Sequence, residues 1–200
     1  MRKLLTLAAL LTSVIFCAQA QNTVRVGGGS GLAYEEGDKI IQIGLGLGRT
    51  VRSYNYVWAG GYYGLGASLN AAAELGIHEY FSVGLYAGVG RYGYRVIENY
   101  SITAIALGAR GSFHYAALAN EALDIGLNDE KLDLYISLLL GGEIISTNYD
   151  NEFNRFNDGF FVDFGTVLGG RYMLNESLAV FTELGYGSLS AWTIGVSFHL

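Results

Sequence analysis

The chain contains no proline and one cysteine, Cys17. Soluble all-β domains commonly use proline at edge strands and turns, so its absence suits a sheet with no edge to protect. Basic residues are scarce: 12 Lys and Arg against 18 Asp and Glu, a net charge of -6. That balance argues against a nucleic-acid partner. Beyond residue 20, no stretch approaches the roughly 18 unbroken apolar residues of a membrane-spanning helix. Histidine occurs only three times, at His78, His114 and His199.

Against these absences stand a hydrophobic content of 51%, 29 glycines and 15 tyrosines. The first part of the apolar content is a targeting signal over residues 1–20. Arg2 and Lys3 form its basic start, Leu4 to Phe16 its apolar stretch, and Ala18-Gln19-Ala20 its cleavage site. A lipid-modified Cys17 is the rival reading, but Phe16 stands where a small residue is expected. Cleavage after Ala20 removes Arg2, Lys3 and no acidic residue, so -6 becomes -8. It also removes the only thiol, leaving no disulfide and no cysteine metal ligand. About 180 residues remain, enough for one domain.

Period-2 alternation dominates those residues, the signature of strands with one apolar face. In the last segment, Leu189 to Leu200, Trp192, Ile194, Val196, Phe198 and Leu200 alternate with Thr193, Gly195, Ser197 and His199. Seven earlier segments share the pattern: Lys39 to Gly48, Gly64 to Leu75, Tyr80 to Tyr92, Ile102 to Tyr115, Leu132 to Ile145, Phe160 to Tyr172 and Leu178 to Tyr186. Each is near the 9 to 11 residues that a tilted strand needs to cross a bilayer. The less apolar face carries mainly Gly and Ser with a few charges. Such residues make a poor solvent surface but fill a narrow lumen. The expected fold is therefore all-β, an eight-stranded antiparallel up-and-down transmembrane β-barrel over residues 39–200.

Connections sort by length. Gly76 to Glu79 and Met173 to Ser177 are tight, whereas Arg49 to Tyr63 and Ser146 to Gly159 are long. Barrels of this type place short turns inside and long loops outside. Gly93 to Ser101 is a moderate outer loop. The inner link from Ala116 to Lys131 is long for its side, with a short helix expected at Ala116 to Leu123. Residues 21–38 read as a loose periplasmic tail, with a further short strand conceivable at Thr23 to Val26.

Seven ionisable residues share the inward parity: Glu74, Arg110, Asp133, Glu143, Asp163, Arg171 and Glu183. The expectation is a buried charge network, because an unpartnered buried charge is too costly to keep. Two arginines cannot neutralise five carboxylates, so some acids must be protonated, hydrated or near a mouth. The other reading is a narrow cation-attracting passage, against which stands the small bore of eight strands. The outer loops carry Tyr54, Tyr56, Trp58, Tyr62, Tyr63, Tyr94, Tyr100, Phe153 and Phe156. These read as an aromatic girdle with loop packing, or as anchors for a surface partner.

Other motifs carry less. Gly44-Leu45-Gly46-Leu47-Gly48 lacks nucleotide-loop spacing and a following helix. Asn99-Tyr100-Ser101 and Asn175-Glu176-Ser177 are formal glycosylation sequons that mean little in a bacterial barrel. Asp150, Glu152 and Asp158 lack the spacing of a calcium loop. No histidine reaches the outer loops, so an enzyme working at the outer mouth is disfavoured. No cofactor or metal is called for.

Four stretches resemble small porin-like outer-membrane β-barrel proteins of the OmpA/OmpX-like type. They are Glu36-Gly37-Asp38-Lys39 leading into Ile43-Gly44-Leu45-Gly46; Leu107 to Tyr115; Leu132-Asp133-Leu134-Tyr135 followed by Leu140-Gly141-Gly142; and Gly170-Arg171-Tyr172 through Ala179 to Gly187, then Gly195 to Phe198. Leu200 departs from the aromatic last residue usual there, and Phe198 stands nearby. The resemblance implies the barrel and its place in the outer membrane, among lipid and lipopolysaccharide, inserted by the barrel-insertion machinery. For function it says little; the residues themselves are read as a non-enzymatic protein with a structural or surface-interaction role and a side-chain-filled lumen. A narrow solute channel is the alternative, and a lipid-modifying enzyme the third.

Overall fold

The computed structural model describes residues 31–48, 66–93, 101–123, 126–147, 159–186 and 189–200. Eight strands run in chain order: β1 Lys39–Leu47, β2 Ala67–His78, β3 Phe81–Gly93, β4 Ser101–His114, β5 Leu132–Thr147, β6 Gly159–Met173, β7 Leu178–Tyr186 and β8 Trp192–His199. Each pairs antiparallel with the next, and β1 pairs with β8 to close the barrel. Closure leaves every strand with two neighbours, which is the solution the proline-free sequence points to. Between β4 and β5 lies one helix, α1, Ala116–Leu123, as expected from the sequence. No helix among the described residues is long and apolar enough to cross a membrane, which says nothing of the strands.

The alternation resolves as expected. Leu45, Leu85, Leu107, Leu140, Phe164, Leu168, Leu184 and Ile194 are exposed on the outer wall. Their neighbours of opposite parity, such as Gln42, Ser82, Arg110, Ser137 and Arg171, are buried inside. Leu107 is 64% exposed while Arg171 is 0%. Water would not tolerate that inversion, and acyl chains require it.

The barrel end holding the start of β1 and the end of β8 is called the inner end below. Two of its three links are short, and the third, between β4 and β5, carries α1. Glu79 and Tyr80 alone separate β2 from β3. Between β6 and β7, Asn175 Oδ1 accepts from the Ser177 and Leu178 amides at 3.0 and 2.9 Å, an Asx turn.

Two expectations are corrected. β8 begins at Trp192, not Leu189, because Leu189 and Ser190 turn into the lumen and are buried there. Residues 31–38 are not a loose tail. Ala33 and Tyr34 are buried, and the Ala33 amide donates to the Asp129 carbonyl at 2.8 Å. Ala33 packs with Met173 and Ala179, so this strap lies across the inner mouth. The segment Thr23 to Val26 lies outside the described residues.

Candidate functional site: the filled lumen

The inward faces of five strands meet in one chain of alternating charge. Arg171 on β6 donates to Asp133 Oδ2 on β5 at 2.7 Å and to Glu74 Oε1 on β2 at 2.9 Å. Arg110 on β4 is ion-paired with the same Glu74 oxygen at 3.2 Å and donates to Glu183 Oε1 on β7 at 2.7 Å. The order is Asp133, Arg171, Glu74, Arg110, Glu183. Each interior member has an opposite charge on both sides, the condition under which buried ions are kept.

Neutral donors complete the carboxylates. Ser82 and Ser112 both donate to Glu74 Oε2. Tyr135 donates to Glu183 Oε1 at 2.8 Å, and His114 Nδ1 lies 2.9 Å from Asp133 Oδ1. The mismatch of two arginines with five carboxylates is thus eased in two ways. Hydroxyls and an imidazole share the load, and two acids sit elsewhere. Glu143 on β5 and Asp163 on β6 are on the inward face but further toward the outer end.

Tyr135 is the centre of this layer. It is 0% exposed, with the Arg171 guanidinium 4.2 Å from its ring centroid and that of Arg110 at 5.4 Å. Both guanidinium groups therefore lie within cation–π range of one ring. Gln42 Nε2 donates to the phenol at 3.0 Å. The ring lies over Gly169, its directly paired residue on β6. A Cβ at Gly169 would collide with two carbons of that ring and with its hydroxyl oxygen, so the glycine makes the space the tyrosine fills. Tyr86 repeats the device over Gly108 and Gly141.

Above the charged layer the lumen turns apolar. Tyr86, Leu139, Val167, Leu189, Ala72, Ala104 and Ala106 form one packed cluster. Further out, Ile102 and Ile145 pack with Phe161. Between the charged and apolar layers lies a cavity of about 30 Å³, bounded by Gln42, Asn70, Arg110, Glu183, Leu189 and Thr193 among others. That is room for water and little else.

At the inner end, Ser82, His114 and Asp133 stand at triad distances. Ser82 Oγ is 3.0 Å from His114 Nε2, whose Nδ1 faces Asp133. Yet the single Ser82 proton goes to Glu74 Oε2 at 2.7 Å, and Ser82 is buried. Tyr34 covers the imidazole, rings 3.5 Å apart and 4° from parallel. The adjoining cavity is about 10 Å³. The trio therefore belongs to the charge lattice. The Tyr34 hydroxyl donates to the His78 and Phe81 carbonyls at 3.0 and 2.6 Å. Among the described residues, no three His, Cys, Asp or Glu side chains gather as a metal site.

Parity placed the seven charges inside; it did not say which would pair. Tyr135, His114 and Ser82 carried the same inward parity but no charge run to draw notice. Tyr34 had no signal beyond being an aromatic in a glycine-rich stretch. The loop aromatics Tyr54, Tyr56, Trp58, Tyr62, Tyr63, Tyr94, Tyr100, Phe153 and Phe156 lie outside the described residues.

A closed eight-stranded wall, apolar outside and filled inside, defines a small barrel of the outer-membrane type. The fold can be set beside solved structures. The outer membrane protein OprG from Pseudomonas aeruginosa is similar with a TM-score of 0.53 and 11% identity, over 84% of this chain and 97% of that one. The N-terminal β-barrel domain of Pseudomonas aeruginosa OprF gives 0.47 and 14%, over 83% and 98%. Ail, the attachment invasion locus protein of Yersinia pestis, gives 0.45 and 13%, over 82% and 99%. The likeness to OprG bears out the expected barrel and extends to the fold alone. No family model matches the chain. No curated protein matches it either.

Proposed function

We propose that the chain resides in the bacterial outer membrane as a non-enzymatic barrel with a sealed lumen, whose role is structural and whose long loops face a surface partner. One observation carries this reading: the charge chain from Asp133 to Glu183 crosses the bore, with an apolar layer above it. A channel needs a continuous hydrated path, and a bore crossed by a charge chain with an apolar layer above it favours a closed one. The engagement of Ser82 by Glu74 and the Tyr34 cover on His114 favour a structural role for this triad-like group. Export through residues 1–20, insertion by the barrel machinery and contact with lipopolysaccharide belong to the same reading.

The test combines two measurements on one purified sample. Electrophoretic mobility in detergent before and after boiling reports the folded barrel. Planar-bilayer conductance of that folded material is expected to stay at baseline. Reproducible single-channel steps would overturn the sealed lumen and favour a narrow porin. Deletion of residues 54–63 is expected to weaken adhesion to host cells or matrix while the barrel still shifts on boiling; unchanged adhesion would count against a loop-borne partner.

A further inference from the structure

The strap over the inner mouth is folded back on the barrel by one turn. The Asp38 amide donates to the Glu35 carbonyl at 3.3 Å, and Gly37 between them has a φ of 93°. A β-turn with positive φ at its third residue suits glycine and strains an L side chain. A Cβ at Gly37 would meet nothing within 4 Å, so the glycine answers to backbone conformation and not to space. Asp38 clasps the turn a second time, its Oδ2 accepting from the Glu35 amide at 3.0 Å. Asp38 is itself pinned to β2, because its carbonyl accepts from the Gly76 amide at 2.8 Å.

Beyond the turn, Ala33 and Tyr34 attach the strap to the barrel. Ala33 holds the β4–β5 link through one backbone bond and packs on Met173 and Ala179. Tyr34 lays its ring on His114 and directs its hydroxyl at the His78 and Phe81 carbonyls. Each strand, by contrast, is held by a ladder on both edges. A segment with so few ties opens at well below the free energy of global unfolding. Asp38 also has a second place to go. His199 Nδ1 lies 3.7 Å from Asp38 Oδ2, and both ring nitrogens of this buried histidine lack a hydrogen-bond partner among the described residues. Handing Asp38 to His199 undoes the clasp on the turn and satisfies a buried imidazole.

We propose that residues 31–38 are a hinged lid on the inner mouth: the Glu35–Asp38 turn is the hinge, Tyr34 is the latch, and the open state exposes His114 and Asp133 at the inner end. Below the lid the bore stays closed, because the charge chain from Asp133 to Glu183 and the apolar layer contain no strap residue. The lid thus governs access to the small space under Tyr34 and leaves the seal untouched. Its motion is independent of the sealed-lumen role proposed above.

Diethyl pyrocarbonate modification of the full chain, folded in detergent at one neutral pH, tests the lid. Mass spectrometry reads each histidine, and the unboiled mobility shift reports the folded barrel. His78 is exposed and serves as internal standard, whereas His114 is buried beneath Tyr34. In the parent chain His114 is expected to react slower than His78 yet faster than the folded band is lost. Gly37→Ala is expected to raise the His114 rate about tenfold, the weight of a left-handed backbone for an L side chain. Gly37→Asn, which tolerates that backbone better, is expected to raise it less. Tyr34→Phe keeps the ring over His114, removes the hydroxyl latch and is also expected to raise it. His199→Leu deprives Asp38 of its second partner and is expected to lower it. The lid is overturned if His114 reacts no faster than the barrel unfolds, or if either Gly37→Ala or Tyr34→Phe leaves its rate at the parent value. A His199→Leu rate equal to the parent's would overturn the part given to Asp38.

Discussion

Arg171 and Glu74 join opposite walls of the barrel. They sit on β6 and β2, four strands apart in a ring of eight, and their side chains meet at 2.9 Å. Four strands from eight is half the circumference, so this one ion pair spans the diameter. Arg110 and Glu183 join β4 to β7 just beside it. The lumen is thus laced by charged side chains that tie non-adjacent strands together.

Arg171→Met is expected to leave Glu74 and Asp133 without a cation they now share. Breaking a buried pair on one side costs about 3–5 kcal/mol. Urea unfolding in lipid vesicles measures it. The double variant Glu74→Gln with Arg171→Met is expected to cost less than the two singles summed, because the partners are coupled. Strict additivity would mean that the crossing pair contributes nothing.

Gly169→Ala is expected to destabilise the barrel by about 1–3 kcal/mol, since its Cβ must push the Tyr135 ring off the strand. Gly111→Ala is the control, because a Cβ there meets open space on the lipid side. Equal stability of the two variants would show that the Tyr135 contact is not tight. The heat at which boiled and unboiled mobilities merge is a sufficient readout.

Leu189→Ala is expected to leave conductance at baseline. Leu189 belongs to the apolar layer, and the charge chain with Tyr135 still closes the bore beneath it. A conducting Leu189→Ala barrel would locate the whole seal in that one side chain.

Tyr34 gives a pH dependence with a defined sign. Burial raises its phenol above the ordinary tyrosine value, and the nearby carboxylates Asp133, Asp38 and Glu74 raise it further. A raised acid holds its proton in the fold and loses it first when unfolded. Its contribution is therefore whole below about pH 10, the unfolded tyrosine value, and falls as pH rises beyond it. Tyr34→Phe gives up one hydroxyl proton shared between two carbonyls, about 0.5–1.5 kcal/mol at neutral pH. It is also expected to shrink the loss between pH 9 and 11. An alkaline loss identical to that of the parent chain would detach the strap from the effect.

Much of this protein was legible in one dimension. Eight alternating segments, two tight turns and the helix at Ala116–Leu123 follow from residue order, because strand parity and turn chemistry are local. The inward placement of Arg110 and Arg171 follows from the same parity. Parity did not say where β8 begins: Leu189 has the inward parity of Thr193, and packing turns it and Ser190 into the lumen ahead of the strand.

What residue order determined is the side of the wall on which each residue stands, since one face must meet hydrocarbon and the other cannot. Which inward residues touch is another matter. Glu74 and Arg171 lie 97 positions apart, and Tyr34 reaches Phe81 across 47. Strand number, register and closure set those encounters together, and only the finished ring has a diameter for an arginine to cross.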